Sequence, residues 1–362
     1  MKTGIADLPL HSGKAPVWLF KRMVKLSREI ADAIVYEYSQ AEFLRRISNP
    51  YWFQAFACVL GFDWHSSGTT TTACGALKLA LSPESHGLMV AGGKGKASKR
   101  APEEIMGAPF SFTDAERGRL AYASRMAAKV DNNLVQDGFQ LYHHSFFLSE
   151  KGEWAVIQQG MNGENARRYH WLSDKVASFV DEPHAAICCD QRVERVLNLT
   201  AKESREARKA SVDLVNDNPE HLRKYLCGQT TLASYSGEGI ALVMPKHHEV
   251  RGIDISPQGW KALINAYELQ PKTYEELVAL RGIGAKTLRA LALLSDLLYG
   301  AEASWEDPVK YSYAHGGKDG FPYPVDKQTY DESIEFLGEA VKAAKLDDKE
   351  RYWALKRLHE LI

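Results

Sequence analysis

The sequence predicts an α+β protein, with a mixed α and β region over 1–250 followed by a helical region over 251–362. Three observations predict it. Apolar residues at steps of four and three open the chain, alternating aromatic and β-branched residues mark its middle, and capped helical segments fill most of the sequence after Ser256. A chain of 362 residues, 45% hydrophobic and 25% charged, can bury a core without disulfide staples at ~150 residues per domain.

The first element begins at Pro16 and carries Leu19, Met23, Leu26, Ile30 and Ile34 on one helical face. Ser39 and Glu42 have capping-box spacing for a second helix, and the apolar stretch from Tyr51 to Leu60 closes at Gly61. Residues 62–81 (FDWHSSGTTTTACGALKLAL) place two serines and four threonines before a helix-like run. Two readings are open: an anion-binding loop ahead of a helix, or a threonine-rich strand ending at a helix cap.

Residues 91–100 (AGGKGKASKR) hold three glycines and four basic residues with no acid, the composition of a cationic loop. Lys94 and Lys96 are its candidate phosphate contacts. Thr113 and Glu116 open a helix running toward Val130. Residues 139–148 and 153–159 then read as a β-hairpin about the polar turn Ser149–Gly152, with further short strands at Ala185–Cys189 and Arg195–Leu199 and a charged helix over Ala201–Val215. Gln328 to Ile362 reads as two terminal helices.

Charge, cysteines and apolar runs bound the function classes. Lys and Arg (45) balance Asp and Glu (46) to a net charge of −1, so a nucleic-acid surface must be a local patch. The five cysteines lack any CxxC spacing, which argues against a disulfide framework and a zinc ribbon. No apolar run suits a signal peptide or a membrane span, and the reading places the protein in the cytoplasm.

The most specific segment is 273–300. A helix capped by Thr273 and Glu276 leads to the turn Gly282-Ile283-Gly284, and a second helix stops at Gly300. The amides near Ala285, Lys286 and Thr287 open that helix at the positive end of its dipole. This segment resembles the helix-hairpin-helix motif of DNA repair and replication proteins. The resemblance implies sequence-independent contact with the DNA backbone through Gly282, Ile283, Gly284 and Thr287, with Lys286 adding charge. Bifunctional base-excision glycosylases carry a lysine at the position of Lys286 and an aspartate some twenty residues on. That comparison makes Lys286 and Asp307 a candidate glycosylase or lyase pair, although the sequence around Asp307 departs from the usual aspartate-histidine pattern.

Over nearly the whole chain, segments such as LPLHSGKAP, DGFQLYHHSFF and AHGGKDGFPYPVD are similar to a prokaryotic family of unknown function, number seven hundred and sixty-three. The resemblance implies a prokaryotic cytoplasmic protein and carries no activity.

Candidate chemistry is therefore sought in the residues. Adjacent histidines on a strand face opposite ways, so the pair His143-His144 offers one ligand to any ion. Asp137 before the hairpin, His144 on it and Glu153 at its second strand suit Mn²⁺ or Mg²⁺, ions that activate water for phosphodiester cleavage. The glutamate-x-lysine pattern of restriction-endonuclease-like cores is missing, since Trp154 and Ala155 follow Glu153. Lys246 and His247 in PKHHEVRG, and His315 in AHGGKDG, compete for the same site, and histidines can also act as acid and base without metal. The expected function is DNA processing or repair by a metal-dependent nuclease. The alternatives are the Lys286–Asp307 glycosylase or lyase and a non-catalytic DNA-binding protein, and a homodimer is compatible with each.

Overall fold

The computed structural model describes residues 15, 17–61, 68–163, 165–189, 192–219, 221–222, 255–309, 335–336 and 339. Helix α1 (Val17–Glu37) buries Met23, Leu26, Ile30 and Ile34, the stripe its spacing predicts. Ser39 caps α2 (Gln40–Ile47) by accepting the Glu42 amide at 3.1 Å. Asn49 caps α3 (Pro50–Val59), where proline occupies the first turn.

The four threonines lie inside α4 (Gly68–Ala80), with Thr69 and Thr70 buried, so the threonine-rich strand is corrected to helix. Packing overrides strand propensity here, and the Thr71 hydroxyl bonds back to the Gly68 carbonyl at 3.0 Å. Residues 62–67, the rest of the anion-loop reading, lie outside the described residues.

A short α5 (Pro83–His86) leads into β1 (Leu88–Lys94), a 3₁₀ turn (Gly95–Arg100) and α6 (Ala101–Met106). Residues 91–100 are therefore strand and 3₁₀ helix, a correction to the loop reading. Gly92 explains the difference. At φ +88°, a Cβ there would sit 2.3 Å from the His144 carbonyl, so glycine lets this stretch close onto the neighbouring strand.

Helix α7 (Asp114–Asn133) opens on a complete capping box between Thr113 and Glu116. After β2 (Val135–Gln136), the predicted hairpin is β3 (Gln140–Ser149) and β4 (Trp154–Asn162), followed by β5 (Asn165–Leu172), β6 (Ala186–Cys189) and β7 (Leu197–Asn198). The main sheet is antiparallel in the order β1-β3-β4-β5-β6, and β2 pairs with β7. Helices α8 (Arg205–Asn216), α9 (Pro257–Leu269), α10 (Tyr274–Ala279) and α11 (Ala285–Tyr299) complete the described elements. The protein is α+β.

Strand alternation sorts the sheet between two helical layers. Phe147, Ala155, Ile157 and Leu172 pack with α1–α4. Phe146, Leu148, Val156 and Trp171 face the opposite way, into a cluster with Leu120, Ala127 and Val130 of α7 and with Leu263, Leu277 and Leu288. That second cluster combines residues from before and after the boundary expected near residue 250, so the described residues on its two sides share one core. Among the described residues no helix is long and apolar enough to cross a membrane.

Candidate functional site

Helix α7 lies along β3 and β4 with two polar residues on its buried face. Ser124 and Asp131 are two turns apart, so both point at the sheet within a stripe otherwise filled by Leu120, Ala127 and Val130. Opposite them, His144 and Gln158 are register partners on β3 and β4. The four side chains form one hydrogen-bonded chain. Ser124 Oγ lies 2.9 Å from His144 Nε2, His144 Nδ1 lies 2.9 Å from Gln158 Oε1, and Gln158 Nε2 donates to Asp131 Oδ2 at 2.5 Å. Asp131 also accepts from Trp171 Nε1 at 3.0 Å, and its Oδ1 lies 2.5 Å from His184 Nε2.

The chemistry of these partners fixes the protons. Burial raises the Asp131 pKa, but its Oδ2 faces the indole N–H of Trp171, which can only donate, so that oxygen accepts in either form, meets the amide nitrogen of Gln158 and turns the Gln158 oxygen toward His144. That oxygen requires a proton on His144 Nδ1, which leaves Nε2 as an acceptor for the Ser124 hydroxyl. Burial lowers the His144 pKa to about 4, against an opposing effect of the Gln158 bond, so the imidazole is neutral at pH 7.

Ser124, His144 and Gln158 of this chain line a cleft of about 500 Å³ between the 3₁₀ turn, α7 and β3, with Asp131 behind them. Lys99, Arg125 and Lys129 line it together with Ser124, His144 and Gln158, and among the described residues no Asp or Glu does. Burial lowers the Lys129 pKa to about 8.

The turn between α10 and α11 docks against the same helix. Lys129 Nζ donates to the Leu280 carbonyl at 2.5 Å, the Ala285 amide donates to Asn133 Oδ1 at 3.1 Å, and Gln136 Nε2 donates to the Ala285 carbonyl at 2.8 Å. The Ala285 amide, expected to be open to a ligand, is thus capped by Asn133. Gly282 adopts φ +90°, where a Cβ would lie 2.9 Å from Ala262 Cβ. The side chains of Ile283 and Thr287 are buried, which removes both as surface contacts, and Lys286 is exposed. Lys94 and Lys96 are exposed, with Lys94 Nζ 5.8 Å from the Tyr142 ring centroid.

The structure does not bring the expected metal set together. Asp137 is fully buried, accepting from Arg167 Nη1 at 2.8 Å, the Tyr169 hydroxyl at 2.7 Å and the Phe139 amide at 2.9 Å. Glu153 sits beside Ser149 at the hairpin turn, accepting from its hydroxyl at 3.1 Å. That position is roughly 16 Å from His144 at ~3.3 Å per strand residue, and ligand bonds to such ions are near 2 Å. Among the described residues, no three His, Cys, Asp or Glu side chains group as a metal ion requires. Of the lyase pair, Asp307 is buried and accepts from Arg167 at 2.7 and 3.0 Å, from the Val193 amide at 2.7 Å and from the Val309 amide at 3.0 Å. Lys246, His247 and His315 lie outside the described residues.

Of these four residues the sequence pointed to His144 alone, and Ser124, Asp131 and Gln158 were missed. The available signal was a serine and an aspartate recurring two turns apart within the apolar stripe of a helix.

A family model described as a protein of unknown function (DUF763) matches residues 4–325. No curated protein and no solved structure matches.

Proposed function

The chain belongs to the DUF763 family, and we propose that it is a DNA-binding protein whose basic cleft holds the phosphodiester backbone without reading sequence. One observation carries this reading: Lys99, Arg125 and Lys129, from two separate segments, line a cleft to which no carboxylate among the described residues contributes. The turn at Leu280–Gly284 supports it. Tethered beside the cleft by Lys129 and Asn133, it carries the glycines, buried isoleucine and exposed lysine for which 273–300 resembles a helix-hairpin-helix. Lys286, two residues beyond Gly284, adds an exposed cation at the start of the helix that follows the turn.

Metal-dependent cleavage by Asp137, His144 and Glu153 is not part of the proposal, because Asp137 is held by Arg167 and Glu153 lies at the other end of the hairpin. Lyase chemistry through Lys286 and Asp307 is set aside on similar grounds, with Asp307 enclosed by its own donors.

Fluorescence anisotropy with labelled single-stranded and duplex DNA in EDTA tests the reading. Four phosphate contacts correspond to an affinity loss of roughly 100-fold between 50 and 200 mM salt, and K99A/R125A reduces the salt slope by about two. Binding that is indifferent to salt, or unchanged in the double variant, overturns it.

A further inference from the structure

Ser124 departs from two other buried helical serines, Ser211 and Ser295, in one respect. Ser211 and Ser295 turn their hydroxyls back onto carbonyls one turn earlier, Ala207 at 2.6 Å and Leu291 at 2.8 Å, the ordinary way to satisfy such a group. The Ser124 hydroxyl instead meets the acceptor nitrogen of His144, and both residues line the cleft. His144 is in turn held by an amide that a buried carboxylate holds. Nucleophile, base and orienting group thus occur in the sequence of contacts that activates a hydroxyl.

We infer that Ser124 is a nucleophile toward phosphodiesters, with His144 as its general base and Gln158 and Asp131 as positioning residues. The substrate class rests on the DNA-binding reading of the cleft. As the bond from Ser124 Oγ to phosphorus forms, His144 Nε2 takes the hydroxyl proton. The bond from phosphorus to one sugar oxygen breaks, and the leaving oxygen takes that proton from His144. Ser124 then carries a DNA end as a phosphodiester. Water attacks the same phosphorus while His144 takes its proton, Ser124 Oγ departs and recovers the proton, and a phosphate-ended strand is released. Arg125 and Lys129, one and five residues along the helix, neutralise the non-bridging oxygens. Both half-reactions balance with water as the only co-reactant.

Two probes are applied to the full chain in EDTA. The first is a fluorophosphonate, which phosphonylates an activated serine with loss of fluoride and needs no DNA. Peptide mapping of the wild-type protein is expected to place the label on Ser124, with labelling slowed at least 100-fold in H144N. Q158L removes the acceptor that supports the His144 charge, so the acid limb of the labelling–pH profile moves to lower pH, a shift that loss of structure alone does not produce. The second probe is end-labelled DNA, expected to be cut or to form an SDS-stable adduct at Ser124, with both products lost in S124A. An unlabelled Ser124 in the wild-type protein, or labelling undiminished in H144N, overturns the nucleophile. A labelled Ser124 with DNA bound but neither cut nor captured overturns the phosphodiester as substrate. A labelled Ser124 in a protein that binds no DNA overturns the DNA-binding reading and leaves the nucleophile standing.

Discussion

Arg167 and Asp307 are joined by two parallel hydrogen bonds, Nη1 to Oδ1 at 3.0 Å and Nη2 to Oδ2 at 2.7 Å, across 140 residues of sequence. Asp137 takes the other side of Nη1 at 2.8 Å, and all three side chains are buried. A buried guanidinium between two carboxylates tolerates the loss of neither, because the N–H groups that the lost carboxylate satisfied cannot reach water.

The first expectation concerns that clamp. Asp307→Ala destabilises the fold by about 3–5 kcal/mol, measured by urea unfolding at pH 7. A change below ~1 kcal/mol, the value of an exposed ion pair, would show that water reaches Arg167.

Acid sensitivity follows from the hairpin histidines. Burial lowers the pKa of His143 to about 3, helped by His144 and Lys94, and that of His144 to about 4. The unfolded chain, with histidines near 6.5, therefore binds protons first as pH falls. Stability present above pH 6.5 is lost progressively from there toward pH 4 for His144 and pH 3 for His143. Between pH 7.5 and 5 the loss from His144 is of order 2 kcal/mol. Unfolding curves of H144Q, which cannot take up that proton, should vary less over this range; an identical pH dependence would contradict the assignment.

Lys129 gives DNA binding a limit on the alkaline side. With its pKa lowered to about 8 by burial, the ammonium loses its proton as pH rises from 7 to 9, and about one unit of salt slope goes with it. Lys129→Arg keeps the charge and flattens the dependence. Anisotropy titrations at pH 7 and 9 check this, and an equal decline in both proteins would place the titrating cation elsewhere.

At the turn beside the cleft, Gly282→Ala meets two penalties, a φ of +90° and a contact of 2.9 Å with Ala262 Cβ. A cost of about 1–3 kcal/mol is expected, with weaker DNA binding as the turn shifts. Thermal unfolding and anisotropy on the same sample test both, and an unperturbed variant would mean that the turn relaxes freely.

What the sequence makes legible here is local. The stripe of Met23, Leu26, Ile30 and Ile34, the caps at Ser39 and Thr113, and the turn Ser149–Gly152 each depend on neighbours a few residues away, and each stands as read. The threonines of α4 were ambiguous because β-branched propensity opposes the helix that packing imposes. Asp137 and Glu153 resembled metal ligands because composition reveals a carboxylate without revealing its partner, and the partner of Asp137 is Arg167, on another strand. Ser124 and Asp131 were overlooked for the same reason: their roles appear once β3 and β4 lie beneath α7.

The tethers from Lys129 and Asn133 to the turn at Leu280–Ala285 have a metric consequence. Ser124 and Asn133 share one helix and lie roughly 13 Å apart along its axis at ~1.5 Å per residue. The turn is anchored to one end of that rod and the serine sits nearer its middle, so α7 acts as a ruler. On the DNA-binding reading, the interval between the point where the backbone is gripped and the phosphate beside Ser124 is about four steps of ~3.4 Å, set by a rigid helix and independent of base sequence.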